Sequence, residues 1–130
     1  MTVGLPPVVN AGTDQIACGI NPITLNANGT AGGNWTGGNG IFTSGRNTAN
    51  AIYTPAVGEV GSTITLTWNV PDPDGAGPCT AASDAMTVTI NTPAIANAGT
   101  DQTVCGATAV NLAANASTGA NWTGGAGTFN

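Results

Sequence analysis

The sequence predicts an all-β fold of two sheets packed face to face, and three observations carry that expectation. The run Thr63-Ile64-Thr65-Leu66-Thr67-Trp68-Asn69-Val70 alternates strictly, with Ile64, Leu66, Trp68 and Val70 on one face and polar residues on the other. No stretch sustains a 3.6-residue period, and glycine, at 20 of 130 residues, is too frequent for helix. Short apolar runs are separated by turn chemistry such as Asn28-Gly29, Gly32-Gly33, Gly37-Gly38-Asn39-Gly40 and Val57-Gly58. Roughly seven strands in about 90 residues, a tryptophan near the middle and two widely spaced cysteines indicate a two-sheet sandwich of immunoglobulin-like kind.

Taken in order, the expected strands are Val8-Val9, Ile16-Ala17-Cys18, Ile23-Thr24-Leu25, Asn34-Trp35-Thr36, Ile41-Phe42-Thr43, Ala51-Ile52-Tyr53-Thr54, the run at 63–70, and Met86-Thr87-Val88-Thr89-Ile90. The last repeats the alternation, with Met86, Val88 and Ile90 inward. Trp35 and Trp68 fall at core positions, where an aromatic ring contributes a large buried area.

Residues 10–43 align with residues 97–130 without a gap, at a constant offset of 87. Asn10-Ala11-Gly12-Thr13-Asp14-Gln15 recurs as Asn97-Ala98-Gly99-Thr100-Asp101-Gln102, Cys18-Gly19 as Cys105-Gly106, and Asn34-Trp35-Thr36-Gly37-Gly38 as Asn121-Trp122-Thr123-Gly124-Gly125. At the same offset Thr2-Val3 and Pro6 fall on Thr89-Ile90 and Pro93. The expected organisation is residues 1–5 as the tail of a preceding repeat, 6–92 as a complete repeat and 93–130 as the first part of the next. The chain reads as a window onto a longer array, with the proline-bearing segments Gly4-Leu5-Pro6-Pro7 and Asn91-Thr92-Pro93 as linkers.

Composition closes off several function classes. The ionisable side chains are Arg46 and the six acids Asp14, Glu59, Asp72, Asp74, Asp84 and Asp101, with no lysine or histidine. General-base catalysis by histidine, Schiff-base chemistry and imidazole metal ligation all need residues that are missing. One arginine builds no basic surface for a phosphate backbone, so no nucleic-acid partner is expected. No apolar run reaches the roughly 20 residues of a membrane-spanning helix, and Met1-Thr2-Val3-Gly4 lacks signal-peptide character, so a targeting segment is expected outside this sequence. A surface of threonine, asparagine and glycine suits a protein exposed outside a cell.

Cys18 and Cys79 are expected to be bonded to each other, closing a loop of about 60 residues worth roughly 4 kcal/mol in the chain-entropy description. The alternative is two buried free thiols. Cys105, the counterpart of Cys18, is unpaired in this sequence, its partner being expected at the counterpart of Cys79. A bond in every repeat implies an oxidising compartment.

The opening motif Asn97-Ala98-Gly99-Thr100-Asp101-Gln102-Thr103-Val104-Cys105, its counterpart from Asn10, and the closing Thr67-Trp68-Asn69-Val70-Pro71-Asp72-Pro73-Asp74-Gly75 followed by Asp84 through Ile90 resemble PKD-like and immunoglobulin-like tandem repeats of very large bacterial cell-surface adhesins, in their cysteine-bearing subset. The resemblance implies sandwiches strung in tandem at the cell surface, acting in adhesion, gliding or fibre formation. It supplies no ligand, since such repeats more often serve as spacers.

Candidate sites have bland counterparts. Asp72-Pro73-Asp74-Gly75, with Asp14, suggests a calcium loop, yet the full spaced acid pattern is missing and Pro-Asp-Gly is equally a plain turn. Sequons at Asn28, Asn34, Asn115 and Asn121 are candidate glycosylation sites, and about three such triplets arise by chance in so asparagine- and threonine-rich a chain. Trp35, Trp68 and Trp122 would stack on sugars if exposed. The expectation is a non-catalytic, extracellular structural repeat whose partners are neighbouring repeats or identical subunits in a fibre, or glycans and other cells, and which needs no cofactor. Two rivals stand beside it: a pilin-like subunit completed by a neighbour's strands, and a carbohydrate-binding module.

Overall fold

The alternating run at 63–70 and the segment before Pro93 pair with each other over their whole lengths, because each has one apolar face to bury and a long polar loop to reverse the chain. In the computed structural model, which describes residues 4–29 and 32–130, the chain divides into two compact units, Met1–Thr92 and Pro93–Asn130. Among the described residues the fold is all-β, with strands and a single 3-10 turn.

In the first unit the strands are β1 (Val9–Asn10), β2 (Gln15–Cys18), β3 (Ile23–Thr24), β4 (Asn28–Gly29), β5 (Asn34–Thr36), β6 (Ile41–Thr43), β7 (Ile52–Thr54), β8 (Thr63–Val70) and β9 (Ala82–Asn91). One four-stranded sheet has the order β2-β9-β8-β5 and one three-stranded sheet the order β3-β7-β6, with β1 and β4 forming a short pair. The β8–β9 hairpin is antiparallel from Thr63↔Thr89 to Val70↔Ala82, whereas β2 joins β9 in parallel from Gln15↔Val88 to Cys18↔Asn91. Both sheets feed one hydrophobic cluster: Trp35, Leu66, Trp68, Val70, Met86, Val88 and Ile90 from the larger, Tyr53 from the smaller, with Ile23 and Phe42 packed against it. Such a shared core between two sheets is compatible with a β-sandwich.

The structure differs from the sequence expectation at two turns. Asn28-Gly29, expected as a turn, is a short strand whose glycine is required because a Cβ there would strike the Val8 carbonyl oxygen. Val57-Gly58 belongs to a 3-10 turn, Val57–Glu59, in which the Glu59 carboxylate reaches back to accept from the Ala56 N–H at 2.8 Å. That bond satisfies an otherwise orphaned donor at the start of the turn.

The second unit is described by itself: β10 (Ala96–Asn97) pairs antiparallel with β11 (Asn115–Ala116). The rest of it is turns, bends and irregular chain. Several apolar residues that correspond to the core of the first unit are exposed here. Trp122 is 42% exposed where Trp35 is 0%, and Leu112 is 45% exposed where Leu25 is 0%.

Candidate functional site

The charged side chains of the first unit are spent on backbone groups. In the opening motif, Asn10 Oδ1 accepts from the Gly12 N–H at 2.7 Å, Asp14 Oδ1 from the Thr87 N–H at 2.8 Å, and Gln15 Nε2 donates to the Thr24 carbonyl at 2.9 Å. Asp84 accepts from the Ala11 N–H at 2.8 Å, docking the motif onto β9. Arg46 donates to the carbonyl oxygens of Gly37 at 3.0 Å, Trp35 at 3.4 Å and Gly38 at 3.4 Å, and its guanidinium lies 4.1 Å from the centre of the Phe42 ring. This cation–π contact and the three hydrogen bonds make the arginine a clamp on one turn.

Glu59, the chain's one glutamate, is the buried acid, at 5% exposure. It accepts from the Asn39 N–H at 2.7 Å, the Tyr53 hydroxyl at 2.6 Å and the Ala56 N–H at 2.8 Å, while the Gly40 N–H donates to Tyr53 Oη at 3.0 Å. The Gly37–Gly40 turn is thus tied to the core through a carboxylate and a phenol. Burial works to raise the Glu59 pKa, but the donors from Asn39, Tyr53 and Ala56 outweigh it and hold the carboxyl below its ordinary value. Burial first, then the bond to Glu59, pushes Tyr53 up to about 12. Three donors and a lowered pKa make the Glu59 carboxylate a weak base, and its bonds tie the Gly37–Gly40 turn and the 3-10 turn to the core. Sequence reasoning missed it, although a single glutamate three residues after Ala56 was a legible signal.

Of the three calcium candidates, Asp72 and Asp74 share one loop and Asp14 lies apart from them. Asp72 and Asp74 lie in the β8–β9 loop, where Asp72 Oδ1 accepts from the N–H groups of Asp74 at 3.0 Å and Gly75 at 3.1 Å, and Asp74 accepts from Gly77 at 3.1 Å and Cys79 at 3.4 Å. The Asp74 side chain and these backbone donors hold the Asp72 carboxyl below its ordinary value. Asp14 is bonded five residues up β9 from Ala82, on the order of 17 Å along the strand from that loop. Among the described residues no three acidic or thiol side chains cluster as a metal would need.

The expected Cys18–Cys79 bond is absent, and the topology explains why: Cys18, Cys79 and Cys105 are free thiols. Cys18 lies beside Asn91 at the last step of β9, whereas Cys79 lies in the loop that precedes Ala82 at its first. Nine strand steps of about 3.3 Å hold the two near opposite ends of the sheet, roughly 30 Å apart, and a disulfide needs Cα atoms within about 7 Å. Cys18 and Cys105 are exposed, while Cys79 is buried against the start of the described chain, its thiol donating to the Leu5 carbonyl at 3.6 Å. Burial, then the Asp74 and Asp72 carboxylates, raise the Cys79 pKa.

The remaining candidates are placed as follows. Trp35 and Trp68 are core residues, their ring centres 5.3 Å apart, and offer no face to a sugar; Trp122 is exposed in the second unit. Asn28, Asn115 and Asn121 are exposed and Asn34 is half-buried on β5. Thr30, which completes the Asn28 sequon, lies outside the described residues. No helix among the described residues is long and apolar enough to cross a membrane.

Compared with known proteins, the chain matches no family model, no curated protein and no solved structure.

Proposed function

We propose that the chain is a non-catalytic structural repeat of an extracellular adhesin or surface filament, an immunoglobulin-like, PKD-like sandwich strung in tandem every 87 residues and acting as a spacer. The observation that carries this reading is that the offset of the sequence repeat recurs in pairing and side-chain bonding. Val9↔Gly29 and Asn10↔Asn28 in the first unit correspond to Ala96↔Ala116 and Asn97↔Asn115 in the second. Asn97 Oδ1 accepts from Gly99 at 2.8 Å as Asn10 does from Gly12, and Gln102 Nε2 donates to Asn111 at 2.7 Å as Gln15 does to Thr24. Gly37 and Gly124 both have positive φ, 91° and 90°. The use of Arg46, Glu59, Asp14, Asp72, Asp74 and Asp84 on backbone groups of the first unit supports a mechanical role.

A second reading is favoured by the exposed Trp122 and Leu112: the second unit is completed by strands of the β8–β9 kind from a neighbouring subunit, giving a self-polymerising, pilin-like protein. Both readings are separated by one comparison. The chain extended after Asn130 with a second copy of residues 44–92 is expected to show Trp122 emission shifted to the blue and a second cooperative unfolding transition, and to be monomeric. An extension that leaves Trp122 exposed sinks the tandem reading. Concentration-dependent oligomers of the 130-residue chain that bury Trp122 without any extension favour strand exchange instead.

A further inference from the structure

The second unit carries a groove of about 420 Å³ whose walls include Ala114, Ala116, Gly119, Ala120 and Trp122. At the offset of 87 the first four fall on Ala27, Gly29, Gly32 and Gly33, which together with Trp68 line a smaller cavity of about 280 Å³ in the first unit. There β8 covers the wall: Trp68 is register-paired with Trp35, and Trp35 is fully buried. Trp122, the counterpart of Trp35, has no such cover and is exposed. The two walls also differ at one atom. Gly33 is buried, and a Cβ there would strike the indole ring of Trp68. Its φ is not among the positive ones, so the indole alone excludes a side chain. Ala120 carries the Cβ that Gly33 has no room for.

We infer that the groove of the second unit is shaped for a covering β-strand with a single-ring aromatic side chain where β8 has Trp68, so that β8 of an identical copy is not its matched occupant. This rests on reading the second unit as the same module as the first. The Ala120 methyl takes up space that the indole fills against Gly33, and phenylalanine over alanine restores roughly the volume of tryptophan over glycine. Swaps that conserve volume are the ones a core tolerates best, whereas an added methyl in a filled site forces side chains off their rotamers. The exchange also forfeits no hydrogen bond, because Trp68 Nε1 is buried without a partner. Identical subunits lending β8 to one another would press an indole against the Ala120 methyl at every contact. The residue at position 120 therefore disfavours the self-polymerising arrangement and favours a β8-like strand of different sequence.

Two urea-unfolding series test this. In the 130-residue chain, Gly33→Ala is expected to lower the midpoint by about 1 M, and the double variant Gly33→Ala, Trp68→Phe to unfold at higher urea than Gly33→Ala alone. If Gly33→Ala does not fold, a double variant that does fold gives the same answer. A double variant no more stable than Gly33→Ala overturns the steric match. The second series uses the chain extended after Asn130 with a copy of residues 44–92. A copy carrying Trp68→Phe is expected to give its second transition at higher urea than the unaltered copy, and Ala120→Gly to reverse that order. Equal midpoints, or a more stable unaltered copy with Ala120 in place, overturn the inference and leave the tandem reading standing. No second transition from either copy overturns both.

Discussion

Single atoms decide several positions. Gly37 has φ 91°, and a Cβ there would strike the Thr65 carbonyl oxygen, whereas Gly124 has nearly the same φ and nothing within 4 Å. Gly37→Ala is expected to destabilise the first unit by about 2–4 kcal/mol through strain and clash together, and Gly124→Ala to cost about 1 kcal/mol from φ alone. Urea unfolding of the two variants checks the contrast. Glu59 makes the stability depend on pH. Its pKa is lower folded than unfolded, so its contribution is complete above the unfolded carboxylate value near 4.3 and is lost as pH falls through the folded value. Tyr53 acts at the other end: its pKa is raised to about 12, so stability is retained below the unfolded value near 10 and declines as pH rises from there to about 12. Glu59→Gln is expected to cost roughly 2–3 kcal/mol at neutral pH, because an amide places a donor against groups that are themselves donors. It should also flatten the acid limb of a stability profile measured by denaturant midpoints.

Elements were legible where periodicity was strong and obscure where a single contact set the geometry. The alternation at 63–70 and 86–90 marks β8, half of β9 and their inward faces, since burial of one sheet side leaves that pattern in any sequence. Trp68 was readable as core for the same reason, and Trp35 from its place at the usual core position of such a sandwich. What alternation cannot express is direction and register: nothing in Gln15–Cys18 says that β2 lies parallel to β9 beside Val88–Asn91, and that placement carries Cys18 to the far end of the sheet from Cys79. Cysteine spacing therefore suggested a bond that strand geometry forbids. Of the Tyr53–Glu59 clamp only the lone glutamate was legible, because most of its partners are backbone N–H groups, which every residue except proline possesses. The β8–β9 loop offers a test at this scale. Asp74 raises the Cys79 pKa, so Asp74→Asn, which keeps an acceptor for Gly77, should lower it and speed alkylation of Cys79 several-fold near neutral pH. An unchanged pH profile of iodoacetamide labelling would show that burial alone governs the thiol.

At the scale of the molecule, every residue of the hydrophobic cluster lies between Val9 and Ile90. Stability should therefore reside in the first unit, and a chain ended at Thr92 is expected to keep the thermal midpoint of the 130-residue chain. A drop of more than a few degrees in calorimetry would mean that residues 93–130 support the core.

Arg46 is the one basic side chain in the chain. Trypsin has a single bond to cut, and the guanidinium it must capture is held by three carbonyl oxygens and the Phe42 ring. Cleavage waits until that turn opens, so the appearance of two fragments becomes a one-event clock for local unfolding, with no competing digestion to blur it.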